Sequence, residues 1–339
     1  MATSLAVMAC AGGGGAPPDA ALAPDGLDGA VAADGGDAAP PARDWAASPP
    51  VVEVDTTEDV YALGDVHGDY DRMLALLAGA GLVEPLTQPA DARWRAGAAV
   101  LVCTGDLLDK WPQAVDVITY LDALGAAAAS AGGRVIVIMG NHEAEFLANP
   151  ADSKVAEFVA ELEGRGLAPA EVAAGKGAVG RFLRDLPFAA RVNEWFFVHA
   201  GNTGGRTLGE LEGDLVTGID AAGFGAPVLA ASSSLLEAEP PWWELGGQDP
   251  ATVLAAAAAA LGIVHLVQGH KPGEIQFSDG TTRPRGVVHQ KFGRIFFIDV
   301  GMSRGVDYTT GALLHIRGAG SQAAASVVYP DGTATPLPY

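Results

Sequence analysis

The chain has 339 residues, 49% hydrophobic and 7% aromatic, enough for one large or two ordinary domains with a sizeable core. Its formal net charge of −21, with no stripe of Lys or Arg, argues against a nucleic-acid partner held by counterion release. No apolar run reaches the roughly 20 residues that a membrane-spanning helix needs.

Of the two cysteines, Cys103 lies in the apolar run Val100-Leu-Val-Cys-Thr and reads as a small core residue, not expected to pair with Cys10. Cys10 follows Leu5-Ala-Val-Met-Ala and precedes Ala-Gly-Gly-Gly-Gly. That order resembles the end of a bacterial lipoprotein signal, although no Lys or Arg precedes it and the apolar run is short. A start codon assigned too far downstream would explain both departures. The expectation is an extracytoplasmic, membrane-tethered lipoprotein; a plain disordered tail on a cytoplasmic protein is the alternative. The 45 glycines and many alanines fit a high-GC bacterial source. From about Ala11 to Pro50, Gly, Ala, Pro and Asp leave almost nothing to bury, so residues 1–50 read as a leader and flexible acidic tether. One domain, 51–339, is expected to follow.

Val51–Val54 and Val60–Gly64 alternate or are apolar enough for strands, and Asp71–Ala80 has helical spacing through Met73, Leu74, Leu76 and Leu77. Ala98–Cys103, Arg134–Met139 and Trp195–Val198 read as buried strands. Gln113–Ala131 reads as a helix stopped by Gly132-Gly133, and Glu143–Leu147 begins another. Ala151–Arg165 and Gly177–Leu186 form a helical insertion. Thr207–Thr217 and Pro250–Leu261 are further helices flanking a Ser/Pro/Trp-rich loop, Ser232–Gly247. The tail turns to strands at Ile263–Val267, Val287–Gln290, Arg294–Val300 and Ala312–Ile316, with a hairpin at Asp331-Gly332. This order predicts an α/β fold of two mixed sheets packed face to face with helices outside.

Six short clusters each hold a residue able to grip a hard cation: Gly64-Asp-Val-His-Gly-Asp69, Gly105-Asp-Leu-Leu-Asp-Lys110, Gly140-Asn-His-Glu143, His199-Ala-Gly, Gly269-His270-Lys-Pro and Asp299-Val-Gly-Met-Ser. Three of them follow buried strands, where an α/β fold places its ligand sites. Asp65 and His67, two apart on extended chain, can face one ion together. Asp106 is placed to bridge two cations, Asn141 offers a neutral carbonyl, and His199 and His270 offer nitrogens. Mixed oxygen and imidazole donors suit manganese, iron or zinc better than calcium. Two such cations can hold a water as hydroxide and clamp a phosphoryl group. His142, beside a ligand but not needed as one, is free to protonate the leaving alkoxide. Asp109 would orient that imidazole and keep it charged.

These motifs resemble those of the calcineurin-like metallophosphoesterases, in the branch similar to serine/threonine phosphoprotein phosphatases and Shewanella-like phosphatases. The stretch Arg294-Ile-Phe-Phe-Ile-Asp-Val-Gly-Met-Ser-Arg-Gly-Val is particularly similar to the latter group. The resemblance covers about Val60 to Arg317 and implies a four-layer α/β/β/α sandwich. It also implies Asp65, His67 and Asp106 at one metal, Asp106, Asn141, His199 and His270 at the other, and His142 with Asp109 as the general-acid pair.

Two departures bear on the substrate. The family's Asp-Arg-Gly is here Asp109-Lys110-Trp111, a point charge in place of a bidentate fork. Its Trp-Arg element has Trp242-Trp243-Glu244 as the nearest match, with Trp242 and Trp243 either lining a groove or packing on the sandwich. Lys110, Lys271 and Arg304 are the candidate phosphate-binding cations. His265, His289 and His315 read as structural. The expected activity is dinuclear-metal hydrolysis of phosphomonoesters, on a small molecule or a Ser/Thr phosphoprotein. A nucleotide or dinucleoside polyphosphate hydrolase is the rival on the same site, and a catalytically lapsed metal-binding lipoprotein is the rival of another class.

Overall fold

The computed structural model describes residues 42–85, 88–320 and 323–339. Cys10 and most of the expected tether lie outside the described residues. The last residues of that tether are folded. The Arg43 guanidinium donates to the carbonyls of Leu186 (2.9 Å) and Asp185 (3.1 Å), and Trp45 Nε1 donates to Asp220 (3.0 Å). One cation and one aromatic ring anchor a stretch that composition alone reads as unstructured.

Among the described residues there are two six-stranded sheets. One holds β2 (Val60–Leu63), β3 (Val100–Cys103), β4 (Arg134–Val137), β12 (Leu313–Arg317), β13 (Ala324–Val328) and β14 (Ala334–Pro336), in the order β14-β13-β12-β2-β3-β4. The other holds β1 (Val51–Val54), β5 (Ala189–Val192), β6 (Trp195–Val198), β7 (His265–Gln268), β10 (His289–Lys291) and β11 (Ile295–Phe297), in the order β1-β5-β6-β7-β11-β10. A small ribbon pairs β8 (Ile275–Gln276) with β9 (Thr282–Arg283). The runs β2–β3–β4 and β6–β7–β11 are parallel and the other pairs, apart from β1–β5, antiparallel, so both sheets are mixed. The Val-Leu-Val-Cys of β3 and the Trp-Phe-Phe-Val of β6 are buried throughout, as central parallel strands covered on both faces must be. Both sheets and the helices share one apolar core, in the α/β/β/α layering.

The helices are α1 (Tyr70–Gly79), α2 (Ala114–Ser130), α3 (Asn141–Ala148), α4 (Ala156–Gly164), α5 (Pro169–Ala173), α6 (Gly177–Asp185), α7 (Leu208–Ala222), α8 (Pro227–Ala230) and α9 (Pro250–Ala260). None among the described residues is long and apolar enough to cross a membrane. α3 begins at Asn141 itself, two residues earlier than the periodicity implies, so Asn141 and His142 open a helix. α7 runs on to Ala222 behind a Thr207–Glu210 capping box. β5 is not legible in Ala-Ala-Arg-Val, which has one β-branched residue; its neighbours β1 and β6 impose the strand.

Register decides where the site forms. Leu63, Cys103 and Val137 are paired across β2, β3 and β4, and Val198, Gln268 and Phe297 across β6, β7 and β11. Each sheet therefore ends level, and all six polar clusters leave the C-terminal ends of these six strands together.

Candidate active site

The loops leaving those ends are tightly wound. His67, Asp106, Asp109, Lys110 and His270 all have positive φ, between 43° and 68°, where a side chain is strained. Gly105, at φ +92°, and Gly140 lie back to back: a Cβ on Gly105 would strike the Gly140 backbone, and one on Gly140 would strike Asp106. These two glycines let the Asp106 loop touch the start of α3. Glu143 locks that contact. Its buried carboxylate accepts N–H groups from Asp106 (2.9 Å), Gly140 (2.8 Å), Leu107 (2.7 Å) and Leu108 (3.3 Å). Burial, then the charge of Asp106, pushes its pKa up to about 7, while the N–H donors pull it back.

Donor geometry points to cations. A carbonyl only accepts, so His199 Nδ1, 2.8 Å from the Thr104 carbonyl, carries the ring proton. Its Nε2 then presents a lone pair to Asn141 Oδ1 at 2.9 Å, His270 Nδ1 at 3.2 Å and Asp106 Oδ1 at 3.4 Å. Likewise His67 Nδ1 donates to the Leu108 carbonyl (2.9 Å), leaving its Nε2 lone pair 3.6 Å from Asp106 Oδ2. Lone pairs converging in a buried site repel unless a cation takes them. Two groups of side chains are close enough to hold one: Asp106, His199 and His270, and His67, Asp106 and His142. Asp106 belongs to both, one oxygen turned to each.

The remaining charges agree. Burial pushes His67 and His270 down to about 4, which keeps both as neutral, lone-pair-bearing imidazoles. Burial works to raise Asp106, but His199, His142, His67 and His270 outweigh it and hold the carboxyl below its usual range. Asp65 accepts the His270 N–H (3.0 Å) and feels the charge of the neighbouring Asp299. Burial raises both carboxyls; the charge of Asp299 adds to the rise of Asp65, while the Gly301 N–H and the Arg283 charge pull Asp299 back to about 6. Asp299 Oδ2 has no partner in the described residues. Such buried acidity is what a pair of divalent ions would neutralise.

His142 is set apart from this cluster by its own partner. Its Nδ1 is 2.8 Å from Asp109 Oδ2, and Asp109 Oδ1 is fixed by the Phe158 N–H at 2.9 Å. Its Nε2 faces the cluster, 4.0 Å from Asp106 Oδ2. Burial works against its charge, but Asp106 and Asp109 prevail and raise it to about 9.

The three cations expected on the substrate differ. Arg304 grips Asp69 with its backbone N–H (2.7 Å) and guanidinium (2.8 and 3.1 Å), reaches Asp71 (2.7 Å), and lies over the Trp111 ring. Lys271 pairs with Glu239 at 2.5 Å. Lys110 makes no ion pair among the described residues, and its charge reaches both His67 and His142. Trp243 packs on Phe277 and Phe297, and Glu244 accepts the Ser278 N–H (2.8 Å), so this element braces the β8–β9 ribbon. His265 stacks on Trp195, His289 on Phe277 and His315 on Tyr61, all as packing.

Sequence reasoning missed the supports. Besides Glu143, Ser303 Oγ donates to the His67 carbonyl (2.9 Å), and the buried Arg283 donates to the carbonyls of Lys271, Val287 and Asp299. Glu143 was detectable, as the third residue of a helix whose Gly cap cannot supply a side chain.

Comparison with known proteins fits this geometry. The family description of calcineurin-like phosphoesterases matches residues 59–290. An uncharacterized protein of Schizosaccharomyces pombe is 42% identical over 84 residues, 25% of this chain and 24% of that protein. Shewanella-like protein phosphatase 2 of Arabidopsis thaliana is 33% identical over 86 residues, 25% of this chain and 21% of its own length. A symmetrical bis(5'-nucleosyl)-tetraphosphatase of Salmonella arizonae is 36% identical over 88 residues, 26% of this chain and 24% of its own. The chain thus spans no more than about a quarter of these curated relatives. In fold it is similar to the cold-active protein-tyrosine phosphatase of a psychrophile Shewanella, at TM-score 0.64 and 19% identity over 84% of this chain and 82% of that one. A protein serine/threonine phosphatase from Saccharomyces cerevisiae gives TM-score 0.52 and 14% identity over 84% and 88%. With a match across both sheets and five of the six clusters, the chain belongs to the calcineurin-like phosphoesterase family.

Proposed function

We propose that the protein is a dinuclear-metal phosphomonoesterase. Asp65, His67 and Asp106 would hold one cation, and Asp106, Asn141, His199 and His270 the other. The observation that carries this is Asp106, which turns one oxygen toward the unprotonated Nε2 of His67 and the other toward that of His199. When bound, the cations supply Lewis acidity toward the phosphoryl oxygens and a water of lowered pKa. His142 donates its Nε2 proton to the leaving alkoxide, and Asp109 fixes the ring so that Nε2 faces the cluster. Lys110 meets the phosphate as a point charge. A lapsed metal-binding protein would have no use for Asp109 fixing the His142 ring, since Asp109 belongs to neither group of candidate ligands. Hydrolysis of a dinucleoside polyphosphate is the second reading, supported by the Salmonella relative.

The test is metal analysis of the purified protein, then hydrolysis of p-nitrophenyl phosphate, phosphopeptides, sugar phosphates and dinucleoside polyphosphates, each with the His142→Asn variant. General-acid loss should slow alkyl esters by about 10²–10⁴ and aryl esters much less. Equal loss across leaving groups, with both metals retained, would reject the acid role. Turnover of polyphosphates alone would replace the phosphomonoester reading.

A further inference from the structure

α4, in the helical insertion, has no part in the reaction proposed above, yet four hydrogen bonds join it to the segment that carries Asp109. The Phe158 N–H donates to Asp109 Oδ1 at 2.9 Å, and Glu157 accepts the Lys110 N–H at 2.6 Å. Glu161 accepts the N–H groups of Ala114 (2.8 Å) and Val115 (3.0 Å), one on each oxygen. This capping is reciprocal. The N-cap positions of α4 and α2 are Val155 and Gln113, and neither supplies a side-chain cap. Phe158 presents the third N–H of α4, and Ala114 and Val115 the first two of α2, groups that a helix cannot satisfy internally. Asp109 therefore caps α4 from outside, while Glu161 of α4 caps α2. Arg165, at the end of α4, secures the arrangement by pairing with Glu161 (3.1 Å) and with Asp116 of α2 (2.6 Å).

The loop after β3 is thus fastened twice. Glu143 takes the N–H groups of Asp106, Leu107 and Leu108, on the side of the metal ligands. α4 takes those of Lys110, Ala114 and Val115, on the side of the acid, and fixes the Asp109 oxygen that does not face His142. Asp109 lies between the two fastenings in a left-handed backbone (φ 61°), which persists only while its surroundings hold it. Releasing the second fastening lets Asp109 relax away from His142 while Asp106 stays in place. We propose that α4 is the element that positions the general acid, with Glu157 and Glu161 as positioning residues acting on His142 through Asp109. This rests on the acid role of His142 given above.

The test compares kcat for n-propyl phosphate and p-nitrophenyl phosphate on the metal-loaded full chain, with calorimetric titration of manganese into the metal-free protein alongside. In the double variant Glu157→Ala/Glu161→Ala the alkyl-to-aryl ratio should fall about 10- to 100-fold, the size of a general acid that is present but misplaced. Manganese stoichiometry and affinity should not move. Added to His142→Asn, the same two substitutions should leave the ratio where that variant has it, since the acid they position is gone. Glu157→Gln keeps an oxygen able to accept from Lys110, so it should restore what Glu157→Ala loses. An unchanged ratio in the double variant, a further fall in the His142→Asn background, or loss of manganese affinity overturns the proposal. Should the double variant not fold, the exposed Glu157 decides alone: an unchanged ratio in Glu157→Ala, or no recovery in Glu157→Gln, overturns it. A His142→Asn protein with no leaving-group dependence would instead sink the acid role itself, and the proposal with it.

Discussion

Replacing Glu143 by Gln is a sharp test of how this site is held, because the change is nearly isosteric. The carboxylate accepts four backbone N–H groups, two on each oxygen. A glutamine keeps one accepting oxygen. In its better orientation it serves Asp106 and Gly140, and turns its own N–H₂ toward the N–H groups of Leu107 and Leu108. Two buried donors then lose their acceptor, at about 1–3 kcal/mol each, or about 2–6 kcal/mol in all. That is a large part of the roughly 5–15 kcal/mol by which domains are stable. Urea unfolding of the metal-free protein, followed by circular dichroism, should show a midpoint lower by about 0.7–2 M for an m-value of about 3 kcal/mol/M. Since the same carboxylate positions the Asp106 loop, manganese affinity by calorimetric titration should fall about 10- to 100-fold. An unchanged midpoint together with unchanged affinity would refute the idea that Glu143 fastens this loop to α3.

Asp106→Asn should bind fewer than two ions per chain and lose activity, since an amide bridges poorly; two retained ions by metal analysis would contradict the bridging role. For His142, a raised pKa means the imidazolium acid persists below it and is lost as pH rises through about 9. Bound dications repel it, so the alkaline limb of kcat on an alkyl ester should fall at or below that value. Asp109→Asn should move the limb to lower pH, and a limb that stays in place would show that Asp109 does not tune the ring. Lys110→Ala should raise KM for phosphomonoesters several-fold with kcat little changed, whereas Lys110→Arg should preserve KM; an unaltered KM in the Ala variant would assign phosphate binding elsewhere.

The polar clusters were legible because each sits on a chemical contrast: an apolar run, then a charged, amide or imidazole side chain, with a Gly between them at Asp65, Asp106, Asn141 and His270. Asp65, Asp106, Asn141, His199 and His270 all stand at such breaks, and register brings them together. What stayed hidden depends on contacts far apart in sequence. Arg304 reads as a free cation until Asp69, some two hundred residues earlier, is seen to hold it. β5 and the folding of Arg43 and Trp45 likewise come from neighbours, not from local preference.

The left-handed backbone at His67, Asp106, Asp109, Lys110 and His270 links the protein's lifetime to metal supply. An L-residue held there gives up about 1–2 kcal/mol, with aspartates at the gentler end, so the five together amount to several kcal/mol. Ions that bind only the folded chain can return that much, about 4 kcal/mol at a thousandfold excess over Kd. A molecule starved of divalent ions keeps the strained turns and buried carboxylates but loses what balances them. It should open more often at these loops, so that scarcity of metal shortens the survival of the folded chain against proteases as well as silencing it.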